Sequence, residues 1–334
     1  MQDSQFSYPK ISIVTPSFNQ GKYIEQTIQS VLNQNYPNLE YIIIDGGSTD
    51  ETVDIIKNYE TQLSYWVSEP DKGQTDAINK GFAKCTGAIF NWINSDDYYQ
   101  PSAFEKIATL FNSNPSINVV CGKEWSFEDE KPDHKILNAG SIIKQNVYET
   151  IGVGIIDQPC TFFRKQAINE FFPLHTDLHY VMDKQLWWGY LLKYGQTDIL
   201  QTDSIFTWFR LHAQSKSIAQ EQHFEKEIDL LKQSLYKQLK APAILEQQLK
   251  LSGYKTLDIH WNICIPNTTK LLAAFALPYV KRKYVQKDLK GAASLMKYIA
   301  RWKGLGMHTT EWKLWIATCL LPAPIVNTLK KIKS

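Results

Sequence analysis

From residue 11 to residue 101 the chain switches between strand-like and helix-like hydrophobic patterns at short intervals, and this constrains its fold more than any other feature. Alternation of this kind is the sequence sign of a parallel sheet, because parallel neighbours need a long return that a crossover helix supplies. Ile11-Ser12-Ile13-Val14-Thr15 reads as a buried strand stopped by Pro16, and a helix over 22–33 puts Ile24, Ile28, Val31 and Leu32 on one face. A second strand over 40–45 ends at Gly46-Gly47, and Ser48 with Glu51 forms a capping-box pattern opening a helix through residue 58. A third strand at 63–68, a helix over 74–84 and a fourth strand at 88–93 follow, the last ending in Asn94-Ser95-Asp96-Asp97. Polar clusters thus stand after strands one, two and four. Open α/β sheets bind ligands at that edge, so a nucleotide or phosphate site is expected there.

Residues 100–215 are less regular, with a helix near 102–112, a strand at 119–122 and a helix around 184–193, and they are expected to form a second wall. A helix over 220–239 aligns Phe224, Ile228, Leu231 and Leu235, and the rest is Lys-rich with a mostly helical pattern. The net charge of +2 hides an asymmetry. Residues 241–334 carry 15 Lys and Arg against 4 Asp and Glu, a net of +11, and the first 240 residues carry 21 against 30, a net of −9. The first ten residues have no apolar h-region, and the charge-free window 314–329 is 16 residues interrupted by Pro322 and Pro324. Neither a signal peptide nor a membrane-spanning helix of ~20 apolar residues is expected. The five cysteines are scattered and never in CxxC spacing, which fits a reducing, cytoplasmic setting rather than a disulfide framework.

Signatures of several enzyme classes are missing: GxGxxG after the first strand, GxxxxGK[ST], HExxH and GxSxG. Carboxylates near strand and helix ends remain, namely Asp45, Asp76, Asp96, Asp97 and Asp183. Two adjacent carboxylates after a hydrophobic strand repel each other, and a divalent cation, Mg²⁺ or Mn²⁺, resolves the conflict by taking oxygen ligands from protein and phosphates together. A solvated turn explains Asp96-Asp97 alone, and turn chemistry explains Asp45 alone.

Ile-Val-Thr-Pro-Ser-Phe-Asn at 13–19, Ile-Asp-Gly-Gly-Ser-Thr-Asp at 44–50, Ser-Glu-Pro-Asp-Lys-Gly-Gln-Thr-Asp-Ala-Ile-Asn-Lys-Gly at 68–81 and Trp-Ile-Asn-Ser-Asp-Asp at 92–97 resemble glycosyltransferase family 2. Looser similarity recurs at 157–164, 183–187 and 209–215. The resemblance implies the GT-A fold, an α/β Rossmann-like open mixed sheet flanked by helices, over 1–220. Its nucleotide-sugar half would be about 1–110 and its acceptor half about 111–220, with a helical basic region over 221–334. It further implies that Thr15, Pro16, Ser17, Asn19 and Asp45 hold the base and ribose of a nucleotide-sugar, and that Asp76 faces the donor's ribose or sugar. Asn94-Ser95-Asp96 falls on the family's Asp-x-Asp metal motif with Asn in the first place. Asp96 is then the leading ligand of Mn²⁺ or Mg²⁺, with Asp97 and His212 in support and Ser95 beside the substrate. Asp183 takes the place of the base, Arg210 that of a diphosphate or metal contact, and Gln158 faces the acceptor. An ordinary dipole-favoured Asp at a helix start is the alternative for Asp183.

The expected activity is inverting transfer of a sugar from a nucleotide-sugar, a UDP-sugar above others, to a hydroxyl of a saccharide or lipid-linked saccharide in bacterial surface-polysaccharide assembly. The rivals are a catalytically inactive nucleotide-sugar-binding or scaffolding protein, and a sugar nucleotidyltransferase, which would carry an Arg-containing Gly-rich loop after strand one. Trp92, Trp125, Trp187, Trp188 and Trp208 are candidates for stacking on sugar rings or for the core. In the basic tail, apolar segments such as 271–277 and 314–316 lie near Lys281-Arg282-Lys283, Lys330-Lys331, Trp302, Trp312 and Trp315. They suit either a peripheral contact with an anionic membrane surface or a packed helical subdomain. No nucleic-acid module accompanies the charge, so nucleic acid is not an expected partner. Nothing in the sequence sets an oligomeric state.

Overall fold

A computed structural model of the chain describes residues 8–213, 215, 221–249, 251 and 254–303. The described residues form two compact units, one running to residue 142 and resuming over 155–228, the other made of 143–154 and the residues from 229 onward.

The first unit is built on a sheet of nine strands in the order β3-β2-β1-β4-β8-β6-β9-β5, with β7 paired to β6. These are β1 (Ile11–Ser17), β2 (Leu39–Asp45), β3 (Tyr65–Ser68), β4 (Ile89–Trp92), β5 (Tyr98–Tyr99), β6 (Val119–Glu128), β7 (Lys131–Asn138), β8 (Thr161–Arg164) and β9 (Ile199–Leu211). β1, β2, β3 and β4 pair in parallel through α1 (Ile24–Leu32), α2 (Thr52–Asn58) and α3 (Gln74–Lys84). β8 then runs antiparallel between β4 and β6, which makes the sheet mixed.

The apolar face of α1 and that of α4 (Ala103–Ser113) close one side of the sheet through Ile24, Ile28, Phe104, Ile107 and Phe111, all essentially solvent-free. α3 packs closely on β1. A Cβ on Gly81 would stand 2.4 Å from a Val14 methyl, so only glycine permits this approach. α6 (Lys165–Ile168) follows β8, and α7 (Met182–Tyr194) is buried almost all round, from Leu186 through Leu192.

The capping box expected at Ser48 and Glu51 does not form. The Ser48 hydroxyl turns back to Asp45, and the helix starts later, where the Thr52 N–H donates to Asp50 Oδ1 at 3.1 Å. β6 extends well past the short strand expected at 119–122 and makes a hairpin with β7 that the sequence did not announce.

The second unit contains α5 (Val147–Val153), most of the helix Glu221–Leu239, and the helices Thr268–Val285 and Leu289–Lys303. Gly152 packs against Ala274 with no room for a Cβ, and residues 271–276 are all buried. The apolar run that the sequence offers as a lipid-facing surface is therefore a helix core. Lys281, Arg282, Lys287, Lys290, Lys297 and Arg301 stay exposed. The segment 314–316, Trp312, Trp315, Lys330 and Lys331 lie outside the described residues, as does the Trp302 side chain. No helix among the described residues is long and apolar enough to cross a membrane.

Candidate active site

At the carboxyl ends of β1, β2 and β4 lies a cavity of about 580 Å³, lined by Pro16, Ser17, Gln20, Gly46, Asp71, Gly73, Gln74, Asn94, Ser95, Asp96 and others. Its rim is a set of interlocked turns. Asn19 adopts a left-handed φ of 51°, a conformation Asn tolerates, and ties the loop after β1 to the loop after β2. Its N–H donates to Ser48 Oγ at 2.7 Å and its Oδ1 accepts from Thr49 N at 2.9 Å. Asp45 is fully buried, and its carboxylate accepts from Gly47 N, Ser48 N and the hydroxyls of Ser48 and Ser68. All four bonds hold the turn, so Gly46 rather than Asp45 reaches the cavity. Thr15 bonds the Tyr41 hydroxyl at 3.1 Å behind it.

Two polar atoms on the cavity wall have no partner in the protein, Ser17 Oγ and Gln20 Oε1. Both residues line the cavity while these two atoms are themselves buried, and buried polar atoms are normally hydrogen-bonded, so an unpaired couple beside one cavity is unusual. Asp71 also faces it. A Cβ at Gly46 would lie 2.9 Å from Asp71 Oδ2, so glycine leaves the space that this carboxylate occupies. Burial raises the Asp71 pKa, with the nearby charges of Asp76 and Asp45 adding, while the Gly73 N–H and Lys80 oppose. Asp76 stands outside the lining, 3.6 Å from Lys80 and accepting from Lys72 N at 3.2 Å.

Asp96 and His212 come together across 116 residues of sequence. Asp96 Oδ2 is 3.1 Å from His212 Nε2, and the Tyr23 ring packs on the imidazole at 4.7 Å. Asp97 points the other way: its Oδ1 accepts from Arg210 N at 2.9 Å and its Oδ2 from Asn94 Nδ2 at 3.2 Å. Burial first, and the Asp96 charge second, push its pKa well above the carboxylate range. Arg210 is 8% exposed and turned inward as well. Its guanidinium donates to the Asp96 carbonyl at 2.9 Å, to Asp129 Oδ1 at 2.6 Å and to Gln26 Oε1. Gln158 is a cross-brace whose Nε2 donates to Asn91 Oδ1 and Trp92 O, both at 2.7 Å. The structure thus gathers Pro16, Ser17, Ser95, Asp96 and His212 at or beside the cavity. It does not bring Thr15, Asn19, Asp45, Asp76, Asp97, Gln158, Asp183 or Arg210 to its lining.

Asp183 sits in the first turn of α7, where its Oδ1 accepts from Lys184 N at 2.7 Å. Burial lifts its pKa to about 6, against the Lys184 charge and N–H and with a push from the Asp157 charge.

Glycosyl transferase family 2 matches residues 12–172, which hold all four motifs that frame the cavity. Residues 12–172, just under half of the chain, are thus similar to family 2 glycosyltransferases. An uncharacterized glycosyltransferase of Rickettsia typhi is 33% identical over 143 residues, 40% of this chain and 44% of that protein. The putative teichuronic acid biosynthesis glycosyltransferase TuaG of Bacillus subtilis is 32% identical over 134 residues, 39% of this chain and 53% of that protein. The chain thus covers less than half the length of the Rickettsia relative. Among solved structures, residues 1–349 of S. aureus TarS superpose with a TM-score of 0.56 at 18% identity, covering 92% of this chain and 78% of that one. This shows the GT-A fold.

Asp96, inside the family 2 match, and His212, beyond it, present a carboxylate and an imidazole that fit a divalent cation. Two ligand atoms ~2.1 Å from one octahedral ion stand ~3.0 Å apart, close to the Asp96–His212 separation. Another cluster, Glu124, Asp157 and Cys160, has its ligand atoms within 4.8 Å of one another. It suits a hard cation poorly: burial, with Asp157 beside it, pushes Glu124 up to about 9, and burial keeps Cys160 a thiol. Sequence reasoning missed Asp71, Gln74 and Gln20 as lining residues. Asp71 and Gln74 stood inside the 68–81 motif, whereas no signal singled out Gln20. Of the tryptophans, Trp92, Trp187 and Trp188 are core. Trp125 and Trp208 are half-buried beside Tyr98, with Tyr98 and Trp208 stacked 5.7 Å apart and Lys135 over both indoles.

Proposed function

We propose that this chain is an inverting glycosyltransferase that takes a sugar from a UDP-sugar held in the 580 Å³ cavity and passes it to a hydroxyl of a saccharide acceptor. The observation that carries this reading is the cavity itself, framed by the family's motifs and holding the unpartnered Ser17 Oγ and Gln20 Oε1. A nucleotide base offers both a donor and an acceptor edge to such atoms. In support, TarS has been solved with UDP and with UDP-GlcNAc.

Asp96 and His212 would hold a divalent cation, Mn²⁺ or Mg²⁺, at the diphosphate. When bound, it neutralises the charge that grows on the departing diphosphate. Asp183 removes the proton from the acceptor hydroxyl as that oxygen attacks the anomeric carbon from the face opposite the diphosphate. A base with a pKa of about 6 is ionised at neutral pH yet basic enough to take that proton. Pro16, Ser17, Gln20 and Asp71 orient the nucleotide, and Arg210 and Asp97 hold the Asp96 loop in place.

The biological setting we propose is surface-polysaccharide assembly, in line with TuaG, with the exposed basic residues of the second unit drawing the chain to an anionic membrane and a lipid-linked acceptor. The test is a thermal-shift screen of UDP, UDP-GlcNAc and other nucleotide-sugars, with and without Mn²⁺, since a donor stabilises the folded state by mass action. Stabilisation by none of them overturns the reading. Stabilisation without any sugar transfer favours a binding or scaffolding protein.

A further inference from the structure

Three consecutive backbone N–H groups just ahead of α7 converge on one carboxylate. His179 N donates to Glu227 Oε1 at 2.8 Å, and Tyr180 N and Val181 N donate to Glu227 Oε2 at 2.8 and 3.1 Å. Glu227 is 7% exposed and lies on the helix Glu221–Leu239, beyond the residues matched by the family. The same helix packs His223 and Phe224 against the Tyr180 ring at 5.4 and 5.2 Å. Residues 223 and 227 are one turn apart, so ring and carboxylate grip the segment from one helix face.

The other side of this segment is fastened to the donor cavity. Leu178 O accepts from Thr75 Oγ1 on α3, and His179 Nδ1 lies where a Cβ on Gly73 would come within 3.1 Å. Gly73 and Gln74 line the cavity. Residues 178–181 therefore run from the cavity wall to the start of α7, and Met182 and Asp183 come next.

We infer that Glu227 is a positioning residue that sets Asp183 against the donor cavity, an inference that rests on the reading of Asp183 as the base. A single neutral acceptor would satisfy one N–H and leave its neighbours free to rotate. A buried carboxylate bonded to three successive N–H groups fixes the peptide planes that aim the chain into α7, through charge-assisted bonds that are stronger than neutral ones. Catalysis is sensitive to such aim, because a misplacement of about 1 Å costs on the order of 10²-fold in rate. No substrate contact is assigned to Glu227.

The experiment compares the full chain with its Glu227→Gln, Glu227→Asp and Asp183→Asn variants. Gln keeps the size but turns an N–H₂ group toward N–H donors, so at least one donor loses its acceptor. Hydrogen exchange at residues 179–181 should rise about tenfold or more in Glu227→Gln, with β1 and α3 unchanged. UDP affinity should stay within about twofold, and release of UDP from the donor found in the thermal-shift screen should fall about 10²-fold in kcat with KM unchanged. Glu227→Asp, which keeps the charge on a shorter stem, should fold and fall between Gln and wild type, and it decides the matter if the Gln variant does not fold. Unchanged exchange at 179–181 overturns the inference. So does a loss of UDP affinity that parallels the loss of turnover, since Glu227 would then support the whole fold. Full turnover in Asp183→Asn sinks the base assignment instead, and the exchange result still stands or falls by itself.

Discussion

The parallel half of the sheet and the mixed half handle their polar groups in opposite ways. After β1, β2 and β4, polar residues face an open cavity, and Ser17 Oγ and Gln20 Oε1 there have no protein partner. Around β6, β8 and β9 the polar groups face inward and bond one another. Arg210 reaches Asp96, Asp129 and Gln26, Gln158 braces Asn91 to Trp92, and Glu124 pairs with Asn138 at 3.0 Å. One half leaves valences for a ligand, and the other uses its valences to hold the first ligand-facing residues still. A buried, hydrogen-bonded network is rigid, and rigidity is what a reacting geometry needs.

If the mixed half contributes only support, its one proposed catalytic group should be dispensable. Asp183→Asn is expected to lower transfer ~10²- to 10⁴-fold with donor binding near normal, since the amide cannot take a proton. Measured turnover at the wild-type level would leave the mixed half with support alone and move the base elsewhere. The pH profile gives a second view of the same residue. With its pKa at about 6, Asp183 is protonated below that pH, so kcat should hold a plateau above pH 6 and fall about tenfold per unit below it.

Asp96→Ala sharpens the line between a ligand-facing carboxylate and a buried one. Mn²⁺-dependent UDP binding, followed by calorimetry, should weaken by about tenfold or more. An unchanged Mn²⁺ dependence would remove Asp96 and His212 as cation ligands. Ser17→Ala separates stability from affinity. Losing an unpaired hydroxyl should leave Tm unchanged or raised, yet weaken UDP by about 1 kcal/mol, roughly fivefold. A drop in Tm with affinity intact would mean the hydroxyl serves the fold.

The smallest effect is expected at Glu124. Its folded pKa of about 9 exceeds its ordinary 4.5, so between those values the folded chain holds a proton that the unfolded chain lacks. Stability then declines as pH rises through that window. Glu124→Gln should flatten the decline and raise Tm at pH 8 by a few degrees relative to wild type, on the order of 1 kcal/mol. An unaltered slope would show that another group carries the proton.

The same contrast explains what could be seen in the sequence. Parallel strands buried on both faces are short apolar runs, and their crossover helices carry a one-sided period, so β1 to β4 and α1 to α4 were legible. β9 was not, because Gln201-Thr202-Asp203-Ser204 interrupts any alternation, and the β6–β7 turn at Asp129-Glu130 lacks the Gly or Asn that usually marks a hairpin. Asp96 and Asp97 are adjacent in sequence, yet Asp96 sits in a turn closed by the Asp97 N–H on Asn94 O at 3.2 Å, and Asp97 leads into β5, so one faces the cavity and the other the interior. Arg210 was read only as a diphosphate or metal contact, and neither its inward bonds nor the role of Glu227 could be read. Their partners lie 114 and 48 residues away along the chain, and no local period encodes such a bond.

The seam where β5 meets β9 also has an optical consequence. Tyr98 and Trp208 are paired across the strands with ring planes 12° apart, and Trp125 tilts toward Trp208 at 6.0 Å. Rings held in a fixed chiral array couple their electronic transitions and give an intense near-ultraviolet circular dichroism that vanishes when the array loosens. Tyr98 is two residues from Asp96 and Trp208 two from Arg210, so the chain carries an intrinsic chromophore at its own Asp96–Arg210 junction, readable without a label.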